Sequence, residues 1–416
     1  MELLKPTYIP WIGEIPYEWD VIKLKYASLL KGRIGWQGLK TDEYRSEGPY
    51  LVTGTDFENG IVAWDRCHHV SEERYQLDIA IQIKEDDLLI TKDGTIGKVA
   101  VSKNCPEKVC LNSGVFIIRN TGKYKYHSRF MYYVLQSEEL QLWFAITDRG
   151  NSTVKHLTQE KFYNFSFAYP SLAEQQAIAD FLDDRCSRID EIIAEATASI
   201  EEYKELKQAV IFEAVTKGLD KYVPMKDSGV DWIGKTPDNW TVLSLRFLCE
   251  MQAGKNLVSE DIADNGEYPV YGGNGLRGYY SEYNTEGPRL LVGRQGALCG
   301  NVHSVDGQYW CTEHAVVTTP SPLVTLEYLY FLLVAMDLNQ YSSNTAAQPG
   351  LSVNKIIHVK TVIPKIKEQN DIVEYLKSKI PAMDALISEK QALIDDLQAY
   401  KKSLIYEVVT GKRRVV

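Results

Sequence analysis

What the sequence lacks excludes several classes of protein before any motif is read. No apolar run in the 416 residues approaches the roughly 20 needed to span a bilayer, and residues 1–6 lack the apolar stretch of a signal peptide. A cytoplasmic protein with no membrane role is therefore expected. The seven cysteines, Cys67, Cys105, Cys110, Cys186, Cys249, Cys299 and Cys311, are odd in number and include no CxxC pair, so neither a disulfide framework nor a four-ligand zinc site is indicated. Cys67-His68-His69 is the only suggestion of a metal corner, and adjacent residues seldom face one ion together. No metal is expected.

Catalytic signatures are missing too. There is no GxxxxGK[ST] phosphate loop, no HExxH, no GxSxG, and no Asn/Asp-Pro-Pro-Tyr/Phe motif of an amino-methyltransferase. Residues 273–278 match GxGxxG, but Tyr279-Tyr280-Ser281-Glu282-Tyr283 follows instead of a helix of small residues, so a glycine-rich turn projecting Asn274 and Arg277 is the better reading. A non-enzyme that holds no cofactor of its own is expected.

Positive charge is also scarce, with a formal net charge of −10. Read globally, that opposes nucleic-acid binding, because phosphate contacts need Lys and Arg. The distribution softens the objection: residues 20–170 hold 20 basic against 19 acidic side chains, whereas residues 171–219 hold 5 against 11. Residues 241–363 hold 7 against 11, so any cations used there must be focused in one place or supplemented by a partner protein.

What the chain does have is an internal repeat. Trp11-Ile12-Gly13-Glu14-Ile15-Pro16-Tyr17-Glu18-Trp19 returns as Trp232-Ile233-Gly234-Lys235-Thr236-Pro237-Asp238-Asn239-Trp240, and the match continues through Val21/Val242, Leu24/Leu245 and Lys25/Arg246. A second block pairs Pro170 with Pro364, Glu174-Gln175 with Glu368-Gln369, Ile178 with Ile372, Leu182 with Leu376 and Asp190 with Asp384. It ends on Glu213, Val215 and Thr216 against Glu407, Val409 and Thr410. Two similar frames thus enclose two divergent inserts, as if the frame did one structural job twice and the inserts did different recognition jobs.

Within the frame, Leu182, Cys186, Ile189, Ile193, Ala196, Ile200, Tyr203 and Val210 keep heptad spacing, and the copy reads Leu376, Ile380, Met383, Ile387, Lys390, Ile394, Leu397 and Leu404. Each run predicts a helix of about 40 residues and about 60 Å, far longer than one globular core requires. A coiled-coil spacer is the expectation, with ordinary amphipathic helices packed on their own domains as the alternative. Pro381 predicts a kink or break in the second run. The inserts read as β-rich, with runs such as Leu88-Leu89-Ile90-Thr91, Lys98-Val99-Ala100-Val101, Val115-Phe116-Ile117-Ile118 and Leu290-Leu291-Val292, and with helices near residues 128–142 and 326–338.

Matching loops in the two inserts carry chemistry suited to DNA. Lys92-Asp93-Gly94-Thr95 follows a strand-like run in the first, and Arg294-Gln295-Gly296-Ala297 does so in the second. A cation for phosphate or guanine, a carboxylate or amide for a base edge, and a glycine for close backbone approach are what base reading requires. Further candidates are Lys31, Arg33, Trp36 and Gln37; Arg149, Asn151, Ser152 and Thr153; Lys255, Asn274 and Arg277; and Gln348. Solvated hairpin tips remain the alternative for any one of them. A coiled-coil scaffold and a fragment of a fused enzyme remain alternatives for the whole.

The duplicated Trp-Ile-Gly-x-x-Pro-x-x-Trp box, the Pro-x-x-x-Glu-Gln-x-x-Ile-x-x-Phe/Tyr-Leu helix starts and the ends near Thr216-Lys217-Gly218 and Thr410-Gly411-Lys412 resemble the specificity subunits of type I restriction-modification systems. The resemblance covers nearly the whole chain. It implies an α+β fold: two mixed α/β target-recognition domains separated by two long antiparallel coiled-coil helices, in a pseudo-twofold internal repeat. The segments would be a frame strip at residues 1–26, target-recognition domain 1 at 27–169, a long helix at 170–219, a connecting strip at 220–247, target-recognition domain 2 at 248–363 and a second long helix at 364–416. The resemblance further implies a bipartite double-stranded DNA target, two modification (methyltransferase) subunits and restriction (motor-nuclease) subunits as partners. S-adenosylmethionine, ATP and Mg would then reside in those partners. Antiparallel pairing would bring the first Trp box near the second helix.

Overall fold

The computed structural model describes residues 4–33, 39, 43–147, 157–295, 299–343 and 350–415. The chain divides into two compact units, Met1–Glu195 with Leu393–Val416, and Ala196–Ala392. Both heptad runs are continuous helices, Leu172–Lys217 and Ile366–Val409, and each begins in one unit and ends in the other.

In the first unit the six-stranded sheet runs in the order Ser28–Gly32, Val115–Asn120, Leu88–Thr91, Val99–Val101, Ile61–Val62, Phe57–Glu58. The second unit repeats its first four positions as Cys249–Ala253, Ala315–Pro320, Arg289–Gly293, Val302–Val305. A second sheet in each insert contains Val109–Leu111 or Gln308–Cys311. The strand runs read from the sequence are all present. The predicted helix near residues 128–142 is two helices, Ser128–Gln136 and Glu138–Thr147, because Ser137 turns its hydroxyl onto the Val134 carbonyl and ends the first. In the second insert the helix is Leu326–Ala335, with a separate short turn at Leu338–Tyr341.

Each unit has its own core, and each core is assembled from distant pieces of frame. In the first, Ile12, Ile15 and Trp19 pack with Ile178 and Leu182 from the start of the first long helix and with Leu404, Ile405, Val408 and Val409 from the end of the second. In the second, Ile233 and Trp240 pack with Ile211, Ala214 and Val215 and with Ile372 and Leu376. The Trp box does therefore lie against the end of the other half's helix: Tyr406 and Lys412 both donate to the Ile12 carbonyl, the latter at 2.5 Å, and Lys217 donates to the Ile233 carbonyl at 2.6 Å.

The polar joints of the frame are duplicated as well. Trp19 Nε1 donates to Glu174 at 3.2 Å and Trp240 Nε1 to Glu368 at 3.0 Å. Trp11 and Trp232 donate to the carbonyls of Ser166 and Lys360. Gln175 and Gln369, fully buried, each accept one backbone N–H, from His127 and Thr325, and each donate to a proline carbonyl. Such joints need specific partners, since a buried polar group without one is costly.

Within each unit the two long helices run antiparallel. In the first, Glu174 meets Arg414 at 3.2 Å and Asp190 meets Lys401 at 2.6 Å. In the second, Lys207 meets Asp384 at 2.6 Å, and Gly218 lies against Glu368. The seam residues are buried or half-buried, including Lys390, as an apolar heptad stripe requires. Of the kink or break expected at Pro381, the break does not occur: the helix runs through it. Pro381 stands on the exposed face, where the one backbone bond it removes can be replaced by water, while Ile380 beside it stays packed in the core.

Candidate nucleic-acid interface

The two loops singled out by sequence occupy the same place in the two inserts. Lys92 lies in the turn between Leu88–Thr91 and Val99–Val101, and Arg294 in the turn between Arg289–Gly293 and Val302–Val305. Their backbones are anchored alike. Lys92 N donates to Gly114 O at 2.9 Å and its carbonyl accepts from Leu157 N, while Arg294 N donates to His314 O at 2.8 Å and its carbonyl accepts from Leu351 N. The loop position is thus fixed by backbone bonds and its side chains are left to vary.

In the first insert, the Thr91 hydroxyl donates to Thr95 O at 2.6 Å and accepts from Lys98 N, which closes the turn. Gly94 and Gly97 have φ of +68° and +90° with open space beside them, so the backbone tip is accessible. Lys92 is partly withdrawn. Its ammonium sits 5.1 Å from the Phe116 ring centre and 4.0 Å from Asp93, and only 18% of its side chain is exposed. Lys31, half-buried, lies in Ser28–Gly32 opposite Ile117.

Arg33 requires a correction. It is 2% exposed, donates from Nε to Leu111 O at 2.9 Å and lies 3.6 Å from Cys110 Sγ. Its guanidinium ties two strands together inside the insert and is not available to DNA. Trp36, Gln37, Arg149, Asn151, Ser152, Thr153, Gly296 and Gln348 lie outside the described residues.

The second insert brings its candidates together. Residues 273–278 form a hairpin between Tyr268–Gly272 and Gly275–Tyr280, with Asn274 exposed at the tip and Arg277 exposed on the returning strand. No βαβ phosphate site is formed. Gly273 is needed for close packing, since a Cβ there would stand 2.8 Å from His314 O and 3.4 Å from Gln295 O. The hairpin therefore rests directly on the Arg294-Gln295 loop. Lys255 is exposed nearby in the fold, with its N bonded to Cys311 O and a bridge to Thr312.

Two residues that sequence reasoning did not single out complete this cluster. His314 Nδ1 is 2.7 Å from the Gln295 side-chain oxygen, and His314 Nε2 is 3.1 Å from Glu313. The only signal for them in the sequence is their position, 200 residues after Ser113-Gly114 at the corresponding turn. The arrangement supplies cations for phosphate, a held amide for a base edge and a backbone that can approach closely. Among the described residues no cluster of His, Cys, Asp and Glu suits a metal, and no helix is long and apolar enough to cross a membrane.

A family model described as "Type I restriction modification DNA specificity domain" matches residues 19–202 and 237–395. The type I restriction enzyme EcoprrI specificity subunit of Escherichia coli is 40% identical over 154 residues, a match spanning 36% of this chain and 36% of that relative. The MjaVIII specificity subunit of Methanocaldococcus jannaschii is 23% identical over 430 residues, covering 96% of this chain and 94% of its own. Among solved structures, a chain described under "Structural basis underlying complex assembly and conformational transition of the type I R-M system" superposes with a TM-score of 0.70 at 13% identity, covering 96% of this chain and 99% of that one.

Proposed function

Because this chain belongs to the type I restriction-modification DNA specificity family, we propose that it reads a bipartite double-stranded DNA target and directs partner subunits to it without itself catalysing a reaction. One insert would read each half-site. The observation that carries this reading is the repeated insert: the same sheet order and the same backbone-anchored turn present different side chains, Lys92-Asp93 in one and Arg294-Gln295 in the other. A scaffold has no need of two diverged loops held at one position by equivalent bonds.

The partners follow from the same reading. Two modification subunits would bring S-adenosylmethionine and methylate adenine; restriction subunits would bring ATP and Mg. The chain's acidic second insert, with cations gathered at Lys255, Arg277 and Arg294, would bind DNA best when such partners add positive charge around it. The two long helices, each continuing from one unit into the other, would set the gap between half-sites.

The test is a methylation map of DNA from cells that carry this chain with its modification partner. A bipartite methylated motif is expected, and exchanging residues 27–169 should change one half-site only. A contiguous motif, or a change in both half-sites, would overturn the proposal.

A further inference from the structure

We infer that His314 and Glu313 are positioning residues that hold the Gln295 amide in one orientation for reading a purine, so that base choice at one position of the second half-site depends on side chains that do not touch the base. This rests on the reading proposed above that the second insert contacts DNA.

A glutamine side chain on a solvent-facing turn is a poor reader unless it is held. It has three rotatable bonds, and its amide ends in an acceptor oxygen and a donor nitrogen of nearly the same shape. Left free, it can offer either edge and discriminates little. Gln295 is exposed, but it is not free: its backbone forms a bridge to Gly350, and the carbonyl of the preceding Arg294 accepts from Leu351 N. The amide itself meets His314 Nδ1 at 2.7 Å.

The imidazole is held in turn. Glu313 Oε1 lies 3.1 Å from His314 Nε2. The Glu313 oxygen at Nε2 and the Gln295 amide oxygen at Nδ1 can both only accept, so the two contacts together place a hydrogen on each ring nitrogen and fix the ring's rotation. The His314 backbone is tied down by Arg294 N, which donates to its carbonyl, and the absence of a Cβ on Gly273 lets the neighbouring hairpin close over it. One edge of the Gln295 amide is thereby committed to the ring, and the other edge faces outward as a fixed pattern.

The class of base follows from the number of atoms to be matched. In the major groove a purine edge carries two adjacent hydrogen-bonding atoms, N7 with N6 or O6, whereas each pyrimidine edge carries one. A held amide, with two polar atoms on a rigid plane, suits the purine. Arg294, one residue away, would then be left to a phosphate or a neighbouring base.

The experiment uses the full chain reconstituted with its modification partner on a library of randomised double-stranded DNA, read by methylation sequencing. Gln295→Ala and His314→Ala are each expected to relax the preference at the same single base pair by about tenfold, leaving the other half-site intact. His314→Asn, whose amide occupies the place of Nδ1, is expected to restore most of the preference, which a purely structural role for the ring would not predict. If His314→Ala leaves every base preference unchanged, or relaxes a position other than the one relaxed by Gln295→Ala, the positioning role is wrong. If Gln295→Ala alters no position while exchange of residues 248–363 still changes a half-site, Gln295 is not the reader. Should that exchange change neither half-site, the failure lies in the DNA-reading proposal itself.

Discussion

Glu139 gives the sharpest quantitative test of the fold. It sits at the start of Glu138–Thr147, is fully buried, and neither carboxylate oxygen has a hydrogen-bond partner among the described residues. Burial pushes its pKa from 4.5 up to about 8, and the Lys412 ammonium pulls only weakly the other way. Between those values the folded chain retains a proton that the unfolded chain releases, so stability falls as pH rises through that window and levels off above about 8. The slope is about 1.4 kcal/mol per pH unit. Carried to pH 7, the buried carboxyl costs the fold about 3 kcal/mol relative to a group that never ionises.

Glu139→Gln removes the ionisation and keeps the shape. Urea or thermal unfolding of both proteins from about pH 5 to about pH 9 should show the variant gaining on the parent by about 1.4 kcal/mol for each unit of pH up to about 8, with the gap constant above that. Parallel curves across that range would show that the carboxyl is hydrated or paired in solution and that the reasoning from burial is wrong. A gap that grows with falling pH would reverse the sign and refute it outright.

Three further outcomes follow from the packing. Gly411→Ala should cost about 2–4 kcal/mol, because φ is +73° and a Cβ would stand 2.4 Å from Pro16 Cδ and 3.0 Å from Trp19; Gly218→Ala, with nearest contacts of 3.3 Å, should cost about 1, as measured by chemical denaturation. Arg33→Ala should lower the unfolding midpoint while leaving the methylated motif unchanged, since the side chain bonds Leu111 O inside the insert; a changed motif would return it to the DNA-facing set. Arg129→Glu should destabilise the first unit by about 1–2 kcal/mol and adding Asp183→Lys should recover most of that loss, because the ion pair between these residues is present in the second unit as Glu327 and Lys377 with the signs exchanged. No recovery in the double variant would show that the neighbouring tyrosines, over which the Arg129 guanidinium lies, dominate the contact.

Much of the frame was legible because its requirements are carried by single residues that have no substitute. Trp19 and Trp240 are both buried and both bond a glutamate, so each must keep its size and its N–H, and the repeat shows up as identity. The heptad seams were legible for the same reason at lower resolution, since any apolar residue serves. The inserts were legible only as strands and turns. Arg33 lies between Gly32 and residues that read as an exposed loop, and nothing local says that the chain turns inward there. The cause is tertiary: Phe116 occupies the space where a Cβ of Gly32 would be, at 2.6 Å, and Leu111 supplies the acceptor for the guanidinium. His314 and Glu313 were missed because their significance depends on Gln295, 19 residues earlier in sequence and joined to them only across a turn. Glu139 was missed because the break at Ser137, which starts the helix that carries it into the core, leaves no strong mark in the pattern.

The pair Arg129–Asp183 with its counterpart Glu327–Lys377 shows why identity between the halves understates their likeness. Aligned residue by residue, both positions count as mismatches of the worst kind, cation against anion. Taken together they are one contact, in which a helix of the insert is tied to the long helix that follows it in sequence, kept in both units with its polarity reversed. Reversal has a physical consequence that repetition with the same signs would lack. If the insert helix of one half docked on the long helix of the other, Arg129 would face Lys377 and Glu327 would face Asp183, two like-charge contacts in place of two attractive ones. An internal repeat creates that hazard, because its frame residues offer equivalent docking surfaces twice in one chain. The neighbouring pair Asp190–Lys401, repeated as Asp384–Lys207 with the same signs, gives no such discrimination. It joins the two long helices to each other, where equivalent partners are what the antiparallel pairing uses. Divergence at the insert contact and repetition at the helix contact are therefore two answers to one question, which neighbour each surface must accept and which it must refuse.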